Sequence, residues 1–394
     1  MMQVEEPFYP LAAPQWDAAE PAALAAVIAS GMFTMGEKVR AFEAAFAAYH
    51  GRAHGVMVNS GSSANLVGVA SQFFTAPARL SRGDEVIVPA LSWSTTFHPL
   101  QQYGLHLRFV DIDPDTLNID PAALEKALTP RTKMVMAVSI LGNPCDFEAL
   151  QAFCNRHGLL LFEDNCESLD ASLAGRKTGT FGDIATASFF FSHHISTMEG
   201  GMLLTDDRET ADLARCLRAH GWTRDLAPDS PVHARGEEDF FEAYKFILPG
   251  YNLRPGELHA AVGLEQLRKL PAHTALRRAN LATFQDRFGN HPAVRMQREH
   301  GTSSAFSFPL VLRDDSIDRG RVMAALKEAS IAFRIVTGGC FVRHPAIRFF
   351  DHSVVGDLPH AGRVHDRGFF VGNLPRDLTP QIDRLARVLG EATR

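Results

Sequence analysis

Cysteine is scarce in this chain of 394 residues: there are five, at 145, 154, 166, 216 and 340, and successive ones lie 9, 12, 50 and 124 positions apart. An odd, scattered set builds no disulfide framework, and without a C-x-C or C-x-x-C pair there is no clustered zinc or iron–sulfur signature. Net charge is small as well. Lys+Arg 39 against Asp+Glu 45 leaves −6, which argues against nucleic acid or an anionic membrane surface as the main partner. No apolar run approaches the roughly 18 residues of a membrane span, and the N-terminus opens on Glu5 and Glu6, not on a basic stretch before an apolar one. A reducing cytoplasm is the expected address. Internal repeats and low-complexity tracts are also missing. What is present is an ordinary globular composition, 46% hydrophobic and 21% charged, enough for one large domain and a smaller one.

Residues 17–31, DAAEPAALAAVIASG, read as a helix with acids and Pro21 at its start and Gly31 at its end. Val39, Phe42, Phe46 and Tyr49 then recur at helical spacing. From residue 56 the texture changes to short apolar runs: VMVNS at 56–60, EVIVP at 85–89, LRFVDI at 107–112, KMVMAVSIL at 133–141, LLLFED at 159–164, ATASFFF at 185–191 and GMLLTD at 201–206. Helix-like stretches such as FEALQAFCNRHG separate several of them, which predicts an α/β domain with a mostly parallel sheet and functional residues at strand carboxyl ends. Residues 223–245, polar and charged, read as a long excursion. After a helix at 257–270, the runs at 306–312 and 331–336 predict strands of a smaller α+β domain. The division expected is 1–265, its first ~30 residues an arm and helix, and 266–394.

Five features fall at strand ends. NSGSSAN at 59–65 carries Gly61, Ser62 and Ser63 from a strand into a helix, where free N–H groups and hydroxyls cradle a phosphate or simply cap the helix. Trp93, just past EVIVP, can stack on a flat ring or fill a domain seam. Asp164 ends a strongly apolar strand; a carboxylate there can hold a pyridinium nitrogen protonated, or cap a helix. In SFFFSHHISTMEGG at 188–201, two adjacent histidines are a poor metal pair, since neighbours rarely share one ion and no third ligand lies near. GYNLRPGELHA at 250–260 places Asn252 and Arg254 before a helix.

In order and spacing these five together resemble the DegT/DnrJ/EryC1/StrS family of sugar aminotransferases. The resemblance runs from about residue 30 to the C-terminus and is densest over 55–260. It implies fold type I, the aspartate aminotransferase fold, with pyridoxal phosphate as cofactor. Gly61, Ser62 and Ser188 would then hold the phosphate, Trp93 would stack on the ring and Asp164 would contact its nitrogen. Asn252 would reach the site of a second subunit in a homodimer. Five positions after Ser188, where the family has its Schiff-base lysine, stands His193. Imidazole cannot attach the cofactor covalently, so ordinary transamination is disfavoured, yet it can still move a proton.

That replacement, with L-G-N-P-C at 141–145, is similar to the family's nucleotide-sugar 3-dehydratase branch. One type in the branch pairs pyridoxamine phosphate with an iron–sulfur cluster, held by cysteines after an R-x-H-G segment. Here RAHGWTRDLAPDS has none after Cys216, and Leu226, Ala227 and Pro228 occupy the loop. The cluster-free type acts on GDP-4-keto-6-deoxy-D-mannose with glutamate as amino donor, and this chain resembles it. The resemblance implies His193 and His220 as catalytic residues, Arg224 on the substrate, Glu167 near the ring hydroxyl, a non-covalent cofactor and no metal. Three alternatives stay open: the same chemistry on a CDP- or dTDP-sugar, a weak aminotransferase using external amines, and a lysine-less regulator that binds sugar nucleotides.

Overall fold

Seven parallel strands and a single antiparallel one make the main sheet of the computed structural model, which describes residues 7–13 and 15–394. Its strands are β1 (His54–Val58), β2 (Glu85–Pro89), β3 (His106–Val110), β4 (Thr132–Val138), β5 (Leu160–Asp164), β6 (Ile184–Ser188) and β7 (Gly201–Thr205). A much later strand completes it. The smaller sheet holds β8 (Val294–Met296), β9 (Ser307–Leu312), β10 (Phe333–Arg334) and β12 (Gly368–Gly372), while β11 (His352–Val354) returns to the large sheet. The large sheet runs β1-β7-β6-β5-β4-β2-β3-β11, with β7 antiparallel to both neighbours. The small one runs β8-β9-β12-β10, antiparallel throughout.

The central strands are apolar through their middles, on both faces, because both faces of the large sheet are covered. Val86, Val88, Met134, Met136 and Phe162 pack on one side, and Ile87, Val135, Ala137 and Leu161 on the other. Crossover helices start where the sequence supplies a cap. Ser60, Asp146 and Asp207 each accept a hydrogen bond from a backbone N–H three residues on, an arrangement worth about 1 kcal/mol apiece. Residues 223–245 form turns and one four-residue helix, Asp239–Glu242, in keeping with an excursion.

Three details differ from the expectation. The helix expected at 257–270 runs on from Glu257–Phe288, 32 residues, straight through Pro271 and through the expected boundary at 265/266. Its first half buries Ala260, Leu267 and Leu270 against the large domain, and its second half buries Leu281, Phe284 and Phe288 in the core of the small one. Packing at both ends outweighs the roughly 3 kcal/mol that an internal proline costs a helix. The C-terminal unit is also discontinuous, since Val336, Cys340 and Phe341 belong to the core of the large domain. The run at 185–191 ends as a strand at Ser188, and Phe190 and Phe191 are exposed beyond it. Among the described residues no helix is long and apolar enough to cross a membrane.

Candidate active site

A cavity of about 530 Å³ opens at the carboxyl ends of β4, β5 and β6, where register sets Val138 beside Asp164 and Asp164 beside Thr186. Gly61, Ser62, Trp93, Asp164, Glu167, Ser188 and His193 all line it. No lysine lines it.

Pleating decides which of two adjacent acids serves the cavity. Glu163 points away and accepts from the amides of Gly179 (2.7 Å) and Gly182 (2.5 Å), a closure of backbone. Asp164, buried, faces the cavity. Its Oδ2 accepts from Asn65 Nδ2 at 2.9 Å and from Thr96 Oγ1 at 2.7 Å, and its Oδ1 accepts from the Cys166 amide at 3.3 Å. Asn65 is itself fixed by Thr186 Oγ1, which donates to its Oδ1 at 2.6 Å. Such a network locks the carboxylate's direction and leaves acceptor capacity on Oδ1.

The helix Gly61–Ser71 points its N-terminus at the cavity. Ser60 and Ser63 are used internally: Ser60 Oγ accepts from the Ser63 amide, and Ser63 Oγ donates to Asn59 Oδ1. Ser62 is exposed and available. A β-carbon on Gly61 would lie 2.5 Å from Ser188 Cβ, and one on Gly201 would lie 2.6 Å from the Gly61 nitrogen. Only glycine keeps this cradle open, and a helix N-terminus with hydroxyls at its rim suits a phosphate.

The two histidines part company. His193 lines the cavity between the rings of Phe190 and Phe306, whose centroids are 6.0 and 5.1 Å away, and its buried Nδ1 has no hydrogen-bond partner. His194 turns inward to the Ser304 carbonyl at 3.3 Å. Burial, joined by the nearby charge of Arg277, lowers the His193 pKa to about 4. His193 is therefore neutral at physiological pH and able to accept a proton.

Glu167 shows the opposite shift. Burial lifts its carboxyl to about 7; the Leu141 amide, which donates to Oε2 at 2.9 Å, works against this, and the charge of Asp164 adds to it. Below about pH 7 the group is a neutral donor and above it an acceptor only. If its donor form serves the reaction, kcat/KM falls as pH rises through about 7. The Glu167→Gln enzyme, a donor at every pH, should lose that limb; a pH–rate profile in which it persists would assign the limb elsewhere.

His220, Arg224 and Asn252 stay outside the cavity of their own chain. They are exposed on a crossing of two segments, where Ala219 bridges Asn252 and Trp222 bridges Phe246. His220 has φ 67° and donates its amide to the Tyr251 carbonyl, Arg224 lies over the Trp222 ring, and Asn252 Oδ1 accepts from Arg254 Nε. A β-carbon on Gly221 would fall 1.7 Å from the Leu248 carbonyl oxygen, so the two backbones touch. The sequence reading missed Asn65 and Thr96, although Asn65 sits inside the motif already quoted; a polar side chain on the buried face of a helix was its signal.

The sequence profile of the DegT/DnrJ/EryC1/StrS aminotransferase family matches residues 14–389. The chain is 48% identical over 384 residues to the GDP-4-keto-6-deoxy-D-mannose 3-dehydratase of Yersinia pseudotuberculosis, covering 97% of this chain and 98% of that protein. Two solved structures of GDP-4-keto-6-deoxymannose-3-dehydratase are similar at 44% identity and TM-score 0.95, each covering 97% of this chain and 100% of the other. One holds a trapped PLP-glutamate geminal diamine; the other is a histidine-to-asparagine variant with bound GDP-perosamine.

Proposed function

Because the chain belongs to the DegT/DnrJ/EryC1/StrS aminotransferase family, we propose that it is a pyridoxal-phosphate-dependent 3-dehydratase. It removes the C3 hydroxyl of a nucleotide-linked 4-keto-6-deoxyhexose, GDP-4-keto-6-deoxy-D-mannose, with glutamate as amino donor and ammonia released. His193 in a cavity without lysine carries this reading. The relatives' activity, and the glutamate and GDP-sugar in their structures, supply substrate and donor.

The residues fit the cofactor, since the Gly61–Ser188 cradle stays open only without a side chain and Asp164 is fixed at the cavity edge. When bound, pyridoxal phosphate supplies an electron sink and, once aminated by glutamate, the amine that joins the sugar at C4. The Gly61 and Ser62 amides with the Ser62 and Ser188 hydroxyls would hold its phosphate, and Trp93 would flank its ring. Asp164 would keep a proton on the ring nitrogen, while Glu167, in its protonated form, would donate to the ring hydroxyl. Neutral His193 takes a proton beside the ring and returns one to the departing C3 oxygen.

His220, Arg224 and Asn252 complete the cavity of a second copy in a homodimer. Their close backbone crossing supports this, as do the exposed rings of Phe240 (83%) and Tyr244 (72%) on the excursion and Phe246 (55%) just after it, a surface that a partner would cover.

Incubation in air with glutamate, pyridoxal phosphate and GDP-, CDP- or dTDP-4-keto-6-deoxyhexoses, read by mass spectrometry, tests the reading. The expected products are ammonia and a GDP-sugar ketone lacking the C3 oxygen, with no reductase added. An amino-sugar product, or a requirement for a reductase and NADH, would overturn it.

A further inference from the structure

Two short connections meet beside His193: the turn at 141–143 after β4, part of the L-G-N-P-C run, and residues 303–306, which lead into β9. We propose that Phe306 is a positioning residue for His193: the turn and Arg277 fix its backbone, and its ring sets the direction of the imidazole and shields Nδ1. This deepens the function proposed above and rests on it.

The imidazole has little else to hold it. Its buried Nδ1 has no hydrogen-bond partner, and the residue is anchored through its amide, which donates to the Phe190 carbonyl at 2.9 Å. A base that takes a proton and returns it keeps its nitrogens free, so packing must supply its direction. Phe190 is the weaker wall, 37% exposed and 6.0 Å away. Phe306 meets His193 at 5.1 Å and 64°, lies 5.4 Å from His194, and lines the cavity.

Both polar groups of Phe306's backbone are engaged. Its amide donates to the Leu141 carbonyl at 3.1 Å, and its carbonyl accepts from Arg277 Nη1 at 3.1 Å. The Ser304 amide and the Ser303 hydroxyl both donate to the Gly142 carbonyl, at 2.9 and 2.8 Å. Gly142 has φ 94°, and a β-carbon there would fall 2.7 Å from the Phe306 nitrogen, so only glycine admits this approach. Leu141 (φ 52°) and Ala305 (φ 50°) are left-handed on the two sides of the contact. Such backbone at non-glycine residues persists only where its surroundings over-determine it. The Leu141 amide meanwhile donates to Glu167 Oε2 at 2.9 Å. One turn thus orients Glu167 directly and His193 through Phe306.

The ring also bears on His193's proton affinity, which burial and Arg277 hold down at about 4. The titratable and charged groups around His193 are Arg277 on helix Glu257–Phe288, His194 beside it, and Asp164, Glu167, Glu199 and Arg334 round the cavity. A substitution at 306 keeps all six, so a changed titration of His193 reports the lost shield.

Phe306→Leu and Phe306→Tyr holoenzymes test the assignment, with cofactor absorption confirming the fold of each. Histidine labelled with carbon-13 reports the titration by NMR, and the His193 signal is the one missing from His193→Asn. In Phe306→Leu, His193 should titrate about half a pH unit or more above its wild-type midpoint. Its turnover of the GDP-4-keto-6-deoxyhexose should fall about tenfold with KM nearly unchanged. Phe306→Tyr, which keeps an aromatic edge, should stay near the wild type in both. If the Leu variant matches the wild type, or KM rises while the titration stays in place, Phe306 only shapes the cavity and the assignment is wrong. If the wild type releases no ammonia from the sugar, the function reading fails, and the titration still decides whether Phe306 shields His193.

Discussion

The His193→Asn enzyme should bind its cofactor normally and lose sugar dehydration by about 10²–10⁴-fold, the usual contribution of a positioned general base. The ring and phosphate contacts proposed above fall to Trp93, Asp164, Ser62 and Ser188, which line the same cavity and which the change leaves in place. Asparagine keeps polarity but cannot cycle a proton at neutral pH. His193→Lys should do something different, because a primary amine in a cavity that has none can attach the cofactor covalently. Borohydride followed by mass spectrometry of the denatured chain should then show a pyridoxyl adduct in the Lys variant and none in the wild type, and products should shift toward amino sugar. Subunit mixing extends the test to the partner. If His220 and Asn252 serve a second copy, mixed dimers of His193→Asn and Asn252→Ala chains contain one intact cavity and regain activity that neither parent shows. An Asn variant that dehydrates at the wild-type rate would remove His193 from the mechanism and make His220 the first suspect.

Asp164→Asn should be nearly as damaging without disturbing the fold. The substitution is isosteric, and an amide oxygen can still accept from Asn65 and Thr96. On the function proposed above, what it would lose is the negative charge that would hold a proton on the pyridine nitrogen, and with it most of the ring's capacity to take up electrons. A fall of about 10²–10³-fold in the glutamate-driven bleaching rate is expected, comparable to removing one preorganised electrostatic contact in a catalytic site. Cofactor Kd, measured by fluorescence, should change far less than the rate. Equal losses in both would mean that Asp164 holds the cofactor in place and does not tune it.

The parts of this site legible in sequence were those whose chemistry is local. Asp164 stands out because an acid ends an otherwise apolar strand, and Gly61–Ser62 because small residues link a strand to a helix. His193 stands out only through the family resemblance, five positions after Ser188 on one loop, where the family has its lysine. Asn65 and Thr96 were not found, since their partner lies 99 and 68 positions away and polarity on a buried helix face does not name the group that it meets. The place of Phe306 was hidden for a similar reason: only the docking of 303–306 on the 141–143 turn brings it to the cavity. Helix Glu257–Phe288 was cut short at 270 because proline normally stops a helix, and the packing that carries it through is tertiary. Strand β11 was illegible outright; His-Ser-Val is too short and too polar to announce a strand, and it is held only by pairing with Leu107–Phe109.

That last strand bears on how the chain is made. A ribosome delivers β3 about 240 residues before β11, so the β3 edge of the large sheet stays bare through most of synthesis. Strand β1 waits too, because its only partner, β7, is roughly 145 residues downstream. The nascent large domain therefore carries an unpaired border until residues 352–354 have emerged, and such a border can pair with another chain. A chain interrupted shortly before residue 352 would retain nearly every cofactor contact described above and still leave that border open.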